Sequence, residues 1–175
     1  MVRDTAGNII FESGKTNADG SIAGADADTE LRRYEPHYDE ITRPEQVQIY
    51  ETIMQDTDNN VTYTLLRAAS YLKDNRIPPA GFDKHSVSDD IRVAGAALSD
   101  ANFNSGSDTI TYRIQVGLAD SVKYRAELNY QALAYGFIQD LFLDNSDPEV
   151  AKFETLYNGT RLRSETIAAV DVVVP

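Results

Sequence analysis

Two stretches alternate apolar and polar residues with a period of two. Over residues 110–116, Ile110, Tyr112, Ile114 and Val116 alternate with Thr111, Arg113 and Gln115. Over residues 122–130, Val122, Tyr124, Ala126, Leu128 and Tyr130 alternate with Lys123, Arg125, Glu127 and Asn129. Successive side chains on a strand point to opposite faces, so both runs fit strands with one buried and one wet face. The short Gly117-Leu118-Ala119-Asp120 segment between them predicts an antiparallel hairpin.

The rest of the chain reads in the same mainly β sense. Residues 2–11 hold VRD, a turn at Ala6-Gly7-Asn8 and IIF, a small β element. Residues 47–55 alternate and are rich in β-branched and aromatic residues, which favours a strand. Residues 61–72 alternate at Val61, Tyr63 and Leu65 but carry a helix-compatible LLRAA. The five-residue polar turn before them favours a long hairpin strand, with a helix as the alternative. Residues 91–98 are expected to be a strand. Leu133, Phe137, Ile138, Leu141 and Phe142 share a helical face. A second helix is expected from Pro148 to Tyr157, capped by Asp147 and ended by Asn158-Gly159, and residues 164–174 are expected to be a final strand. The expected class is a single antiparallel β-sandwich domain over residues 1–175, jelly-roll-like, with one or two short helices near the C-terminus.

Composition narrows the function. The chain has 175 residues and a formal net charge of −12, which argues against nucleic acid and anionic lipid surfaces and suits a basic protein partner or divalent cations. There is no cysteine, which removes disulfides, thiol catalysis, zinc–thiolate and iron–sulfur ligation together. No run approaches the ~18 apolar residues of a membrane helix, and no signal peptide is visible. Met1 reads as an expression start on a piece of a longer protein.

The most distinctive local sequence is KDNRIPPAGF, residues 73–82. Pro78 and Pro79 fix the backbone and remove two amide donors, so Asp74, Asn75 and Arg76 can sit on a stiff loop. That loop is a candidate ligand or partner surface; the competing reading is a corner in which Asp74 and Arg76 satisfy backbone groups. EPHYDEIT, then VQIYETIM, then YLKDNRIPPAGF resembles a non-haem region near the C-terminal end of bacterial multihaem c-type cytochrome proteins, over residues 34–82. The resemblance implies an exported domain, periplasmic or on the cell surface, that accompanies a haem-bearing region. This chain itself lacks the cysteines that a covalent c-type haem needs.

Candidate ligand sets are few. Asp19, Asp26 and Asp28 lie in a Gly/Ala/Asp/Ser-rich loop and place oxygens two residues apart, as a calcium site can use; the alternative is a solvated acidic loop. Asp100, Asn102, Asn104 and Asp108 form a second such loop. His37 with Glu35 and Asp39 can point one way along an extended segment as a metal cluster, against the simpler reading of a hydrogen-bonded structural histidine. His85, Ser86, Ser88, Asp89 and Asp90 hold the residue types of a hydrolytic triad, yet triads assemble through the fold, and a turn or cap fits them better. The leading expectation is a non-catalytic accessory domain that docks a haem-bearing region, a redox partner or another copy of itself. A carbohydrate- or calcium-binding sandwich is the alternative, with a hydrolase built on a carboxylate pair third. Tyrosines clustered on one face or around the KDNRIPP loop would favour a sugar site.

Overall fold

The computed structural model describes residues 1–117, 121–161 and 164–175. It is mainly β, with nine strands in three sheets. Strands β1 (Val2–Asp4) and β2 (Ile9–Phe11) form a hairpin closed by Gly7 at φ +89, with Asp4 accepting from the Asn8 amide and side chain at 2.8 Å each. A one-turn helix α1 (Asp26–Thr29) follows, then β3 (Glu40–Ile41), β4 (Thr52–Gln55), β5 (Val61–Thr62) and β6 (Ser70–Asp74). After β7 (Thr111–Tyr112) come β8 (Val122–Tyr130), helices α2 (Tyr135–Phe142) and α3 (Pro148–Gly159), and β9 (Glu165–Val174).

The large sheet runs β2-β1-β8-β9 and is antiparallel throughout; the second, β5-β4-β6, is also antiparallel. The β4–β5 hairpin is built by Asp56, whose Oδ1 accepts the amides of Asp58 and Asn60 at 2.9 Å, with Asn59 in the left-handed region. The third sheet is a short parallel pair, β3 with β7, reinforced by the Arg113–Glu40 ion pair at 2.7 Å.

Three expectations are corrected. The run at 110–116 does not pair with 122–130: β7 hydrogen-bonds β3, while β8 pairs β1 and β9. The alternation still identifies the inward side chains, because Ile110, Ile114 and Val116 pack on the core of Val2, Phe11, Ile41 and Val122. Period two reports which face is apolar and says nothing about which neighbour takes the backbone bonds. Of the supposed turn, residues 118–120 lie outside the described set. The long strand at 61–72 is instead β5, a 3-10 turn at Leu65–Arg67 and β6; the helix alternative does not form either, since Leu65 and Leu66 are exposed and Leu72 lies in β6. Residues 91–98 are not a strand but a turn and a 3-10 helix, Gly95–Leu98, because the small residues Gly95, Ala96 and Ala97 tuck under β6. Both helices near the C-terminus form where the apolar spacing put them, with Asp147 capping α3 through Glu149 at 2.8 Å. Phe142, Phe153 and Tyr157 hold α2 to α3 with ring centroids 5.8–6.2 Å apart.

A second core of Val93, Ala97 and Phe103 sits beneath β6 and the proline loop. Gly95 joins the two: its φ is +75 and a Cβ there would lie 2.8 Å from the Leu72 carbonyl oxygen. Gly95→Ala is expected to cost about 1–3 kcal/mol from backbone strain and the added clash. Gly7→Ala shares the strained φ but meets nothing within 4 Å, so it is expected to cost less. Urea unfolding of both variants checks the ranking, and an equal or reversed order would contradict it.

Candidate functional site

Asn75 follows directly on β6 and is completely buried. Its Oδ1 accepts the Glu51 amide at 2.9 Å, and its Nδ2 donates to the Ile49 carbonyl at 2.9 Å and to His37 Nδ1 at 3.1 Å. Gln48 repeats the arrangement: Oε1 accepts the Tyr38 amide at 2.8 Å and Nε2 donates to the same His37 nitrogen at 2.9 Å. Backbone N–H groups can only donate, so both side-chain amides are fixed in orientation. His37 Nδ1 therefore faces two donors and is the ring's acceptor. The ring hydrogen is on Nε2, which donates to Asp100 Oδ2 at 3.0 Å and lies 3.9 Å from Asp108 Oδ2.

The two aspartates arrive on residues 99–109, a turn-rich segment drawn inward by Phe103 and Lys84. The Phe103 ring is fully buried and meets His37 edge-on at 5.0 Å. Lys84, also buried, donates to the carbonyls of Ala97, Asp100 and Phe103 and lies 5.7 Å over the Phe103 ring. It ties the loop down as a three-toothed clamp. Asp108 accepts the Tyr50 hydroxyl at 2.6 Å, and burial plus that bond push the phenol's pKa well up. Burial pushes Asp100 up, but the Asn102 amide and His37 outweigh it and hold its carboxyl below the usual range. No sequence signal marked Lys84, because three backbone acceptors leave no side-chain pattern.

His37, Asp100 and Asp108 place one ligand atom each within 4.8 Å of one another, the only such group among the described residues. Their side chains are 1%, 7% and 1% exposed. The tautomer nevertheless opposes a metal. A neutral histidine that ligates through Nε2 carries its hydrogen on Nδ1 and normally gives it to an acceptor. Here Nδ1 meets two NH₂ groups that cannot turn round. The cluster is a buried hydrogen-bond network that locks β4, β6 and the 99–109 loop together.

The residues picked from sequence are scattered around this network. His37 is central, but Glu35 faces away, accepting from the Asp26 amide at 2.6 Å and the Tyr38 hydroxyl at 3.0 Å, while Asp39 accepts from Asn102. Alternate side chains on this irregular stretch do not share a face. Asp19, Asp26 and Asp28 do not form a ligand group: Asp19 accepts from Ser21, Asp26 is 3.8 Å from Arg33, and Asp28 takes the Ile22 amide at 2.5 Å. Asp74 grips Arg76 at 2.6 and 2.9 Å and accepts its amide at 3.3 Å, so of the corner reading only the Asp74 half, a carboxylate that satisfies a backbone group, is present. His85 is exposed in a turn capped by Asp83.

A cleft of about 1060 Å³ opens beside the network, between residues 48–51, which lead into β4, and the outer half of the β8–β9 ribbon. Its walls carry Tyr50, Tyr63, Tyr112, Tyr130 and Tyr135, together with Ile49, Ile77 and Leu128. Arg76 and Ile77 bring the proline loop to its rim. Glu51 in the wall binds the buried Lys73 at 3.1 Å; burial pushes Glu51 up and Lys73 down against their mutual attraction. Asp28 stands in the same wall, its carboxyl pushed up to about 6 by burial, with Glu51, Asp19 and Glu35 adding repulsion.

Comparison of the chain with family models, curated proteins and solved structures gave no match.

Two outcomes follow from this geometry. Zinc or calcium at millimolar concentration is expected to leave the unfolding midpoint unchanged, since a metal that bound only the folded state would raise it. Nitrogen-15 spectra of the His37 ring should show hydrogen on Nε2 alone; a hydrogen on Nδ1, or a zinc-dependent midpoint, would overturn the assignment. For Asp28, a folded pKa of about 6 against the ordinary 3.8 means the folded state holds the proton more tightly. Its stabilising contribution is therefore complete below pH 3.8 and is lost as the pH climbs through 6. Subtracting the stability of Asp28→Asn from that of the native chain should give a difference that falls between pH 4 and pH 7, and a flat difference would refute the shift.

Proposed function

We propose that the chain is a non-catalytic docking module whose β9 edge accepts a strand from a basic partner protein. One observation carries the reading: β9, ten residues long, is exposed at every position and among the described residues pairs on one side only, with β8. Ile167, Val170, Val172 and Val173 are 63%, 55%, 47% and 61% exposed. Long, flat, apolar edges invite strand addition, and folded proteins usually blunt them with charge, proline or a bulge. Here the outer strand carries one irregularity, where Ile167 falls between Ala168 and Thr166 without a partner on β8, and keeps only Glu165 and Asp171 as charges, Asp171 being paired with Arg125.

Charge selects the occupant. A second copy would bring together two surfaces of net charge −12, whereas a cationic partner is steered in, an effect that salt weakens. The resemblance over residues 34–82 supplies the class: a haem-bearing region of a longer exported protein, or a basic redox partner, in the periplasm or at the cell surface of a bacterium. The finer fold reading, a jelly-roll-like sandwich, goes with this proposal. It draws support from β1, at one end of the chain, lying next to β8, and through it β9, in one antiparallel sheet. A hydrolytic carboxylate pair draws no support, because Glu51 is held by Lys73.

Titration of the chain with a basic and an acidic c-type cytochrome, followed by haem absorbance and by sedimentation, tests the reading. Binding of the basic one alone is expected, weakening as salt rises, and lost in Ile167→Lys and Val172→Lys. Binding that survives both variants, or a dimer of the chain alone that both variants disperse, would sink it.

A further inference from the structure

We propose that the tyrosine-walled cleft is a binding site for an organic cation, with its ammonium against Asp28 and its apolar body along the aromatic wall. This goes beyond the docking reading, since it uses the inner face of the ribbon and the wall opposite rather than the free edge of β9.

The cleft's size is that of a small-molecule site, and its walls are largely apolar and aromatic. What distinguishes it is how its polar groups are spent. Gln48 is committed to Tyr38 and His37, and Tyr50 to Asp108. Gln131 donates to the Gly20 carbonyl at 2.8 Å, and Asn129 accepts from Thr166 at 2.8 Å. Each other charged group in the wall has its own counter-ion: Glu51 has Lys73, Arg76 has Asp74 and Glu127 has Arg125. Asp28 alone has none among the described residues; its Oδ2 takes the Ile22 amide.

Unbalanced charge in the wall is thus concentrated at one point, which suits a ligand with a single charged head. The Tyr63 hydroxyl, buried and without a hydrogen-bond partner among the described residues, adds one neutral polar point to a wall that is otherwise mainly apolar. The sign of the head follows from the surroundings. Glu51, Asp19 and Glu35 face Asp28, and the buried Lys73 is turned to Glu51, so the field there is negative. Tyr63 and Tyr135 line the same cleft as Asp28, so aromatic surface is available to a cation held at the carboxylate. A carboxylate flanked by aromatic faces is the standard chemistry for an ammonium group.

Calorimetric titration of the full chain at pH 7 with phenethylammonium, with its neutral analogue 3-phenylpropan-1-ol and with a glucose oligosaccharide tests the site. The amine is expected to bind, with the neutral analogue about tenfold weaker or worse, a gap of about 1.4 kcal/mol. Asp28→Asn keeps an acceptor for the Ile22 amide, so it should fold, and should bring the amine down to the level of the alcohol. Tyr135→Leu should weaken the amine and spare the alcohol. Equal binding of amine and alcohol, amine binding unchanged in Asp28→Asn, binding of the oligosaccharide alone, or no binding by any of the three would overturn the proposal.

Discussion

The Asn75 side chain is the contact on which the middle of this protein depends. A fully buried primary amide has two donors and an acceptor to satisfy, and leaving one unmet costs about 1–3 kcal/mol. Asn75 meets all of them with the β4 approach, at Glu51 and Ile49, and with His37. That single residue therefore links three segments far apart in sequence. The proline pair just after it keeps the chain from sliding, since neither Pro78 nor Pro79 can be absorbed into a longer strand. Aspartate at position 75 would put acceptors where the Ile49 carbonyl and His37 Nδ1 need donors, so the amide is chemically specified.

From there the polarity propagates outward. Two side-chain amides oriented by backbone N–H groups force His37 into one tautomer, and that tautomer donates its hydrogen to Asp100, with Asp108 3.9 Å away. The aspartates can be buried because they are fed donors from different directions: Tyr50 and the Thr109 amide for Asp108, His37 and the Asn102 amide for Asp100. Lys84 places a cation close by without touching either carboxylate, spending its hydrogens on three carbonyls instead. A metal centre and this network share the same residue types, and only the direction of the hydrogen bonds at Nδ1 separates them.

That distinction also explains how much could be read from the chain alone. The mainly β class, the β1–β2 and β4–β5 hairpins, both C-terminal helices and the last strand follow from local signals: period, turn residues and the Asp147 cap. The β7–β3 pairing did not, because partners that sit some 70 residues apart leave no local trace when the paired runs are two residues long. In the site, His37 and the Asp74–Arg76 corner were legible, and Asp100 and Asp108 were noticed as oxygen-rich loop residues. Their convergence on His37 was not, since it depends on Phe103 and Lys84 folding the loop inward. Asp19, Asp26 and Asp28 show the converse: close spacing in sequence, with each carboxylate turned to a different neighbour.

Asp28 and β9 are both places where local physics is left incomplete, and they are incomplete in different ways. Asp28 is a carboxylate without a counter-ion in an aromatic wall, an electrostatic deficit that a small cation would relieve. Strand β9 is a row of unpaired backbone groups flanked by valine and isoleucine, a deficit of hydrogen bonds and burial that only another polypeptide can relieve. A ligand at Asp28 would pack against the inner face of the ribbon at Leu128 and Val170 and stiffen it. Ordering a strand before a partner adds to it lowers the conformational entropy lost in docking. Occupants of the two sites would therefore couple positively, and by linkage each would strengthen the other by the same factor.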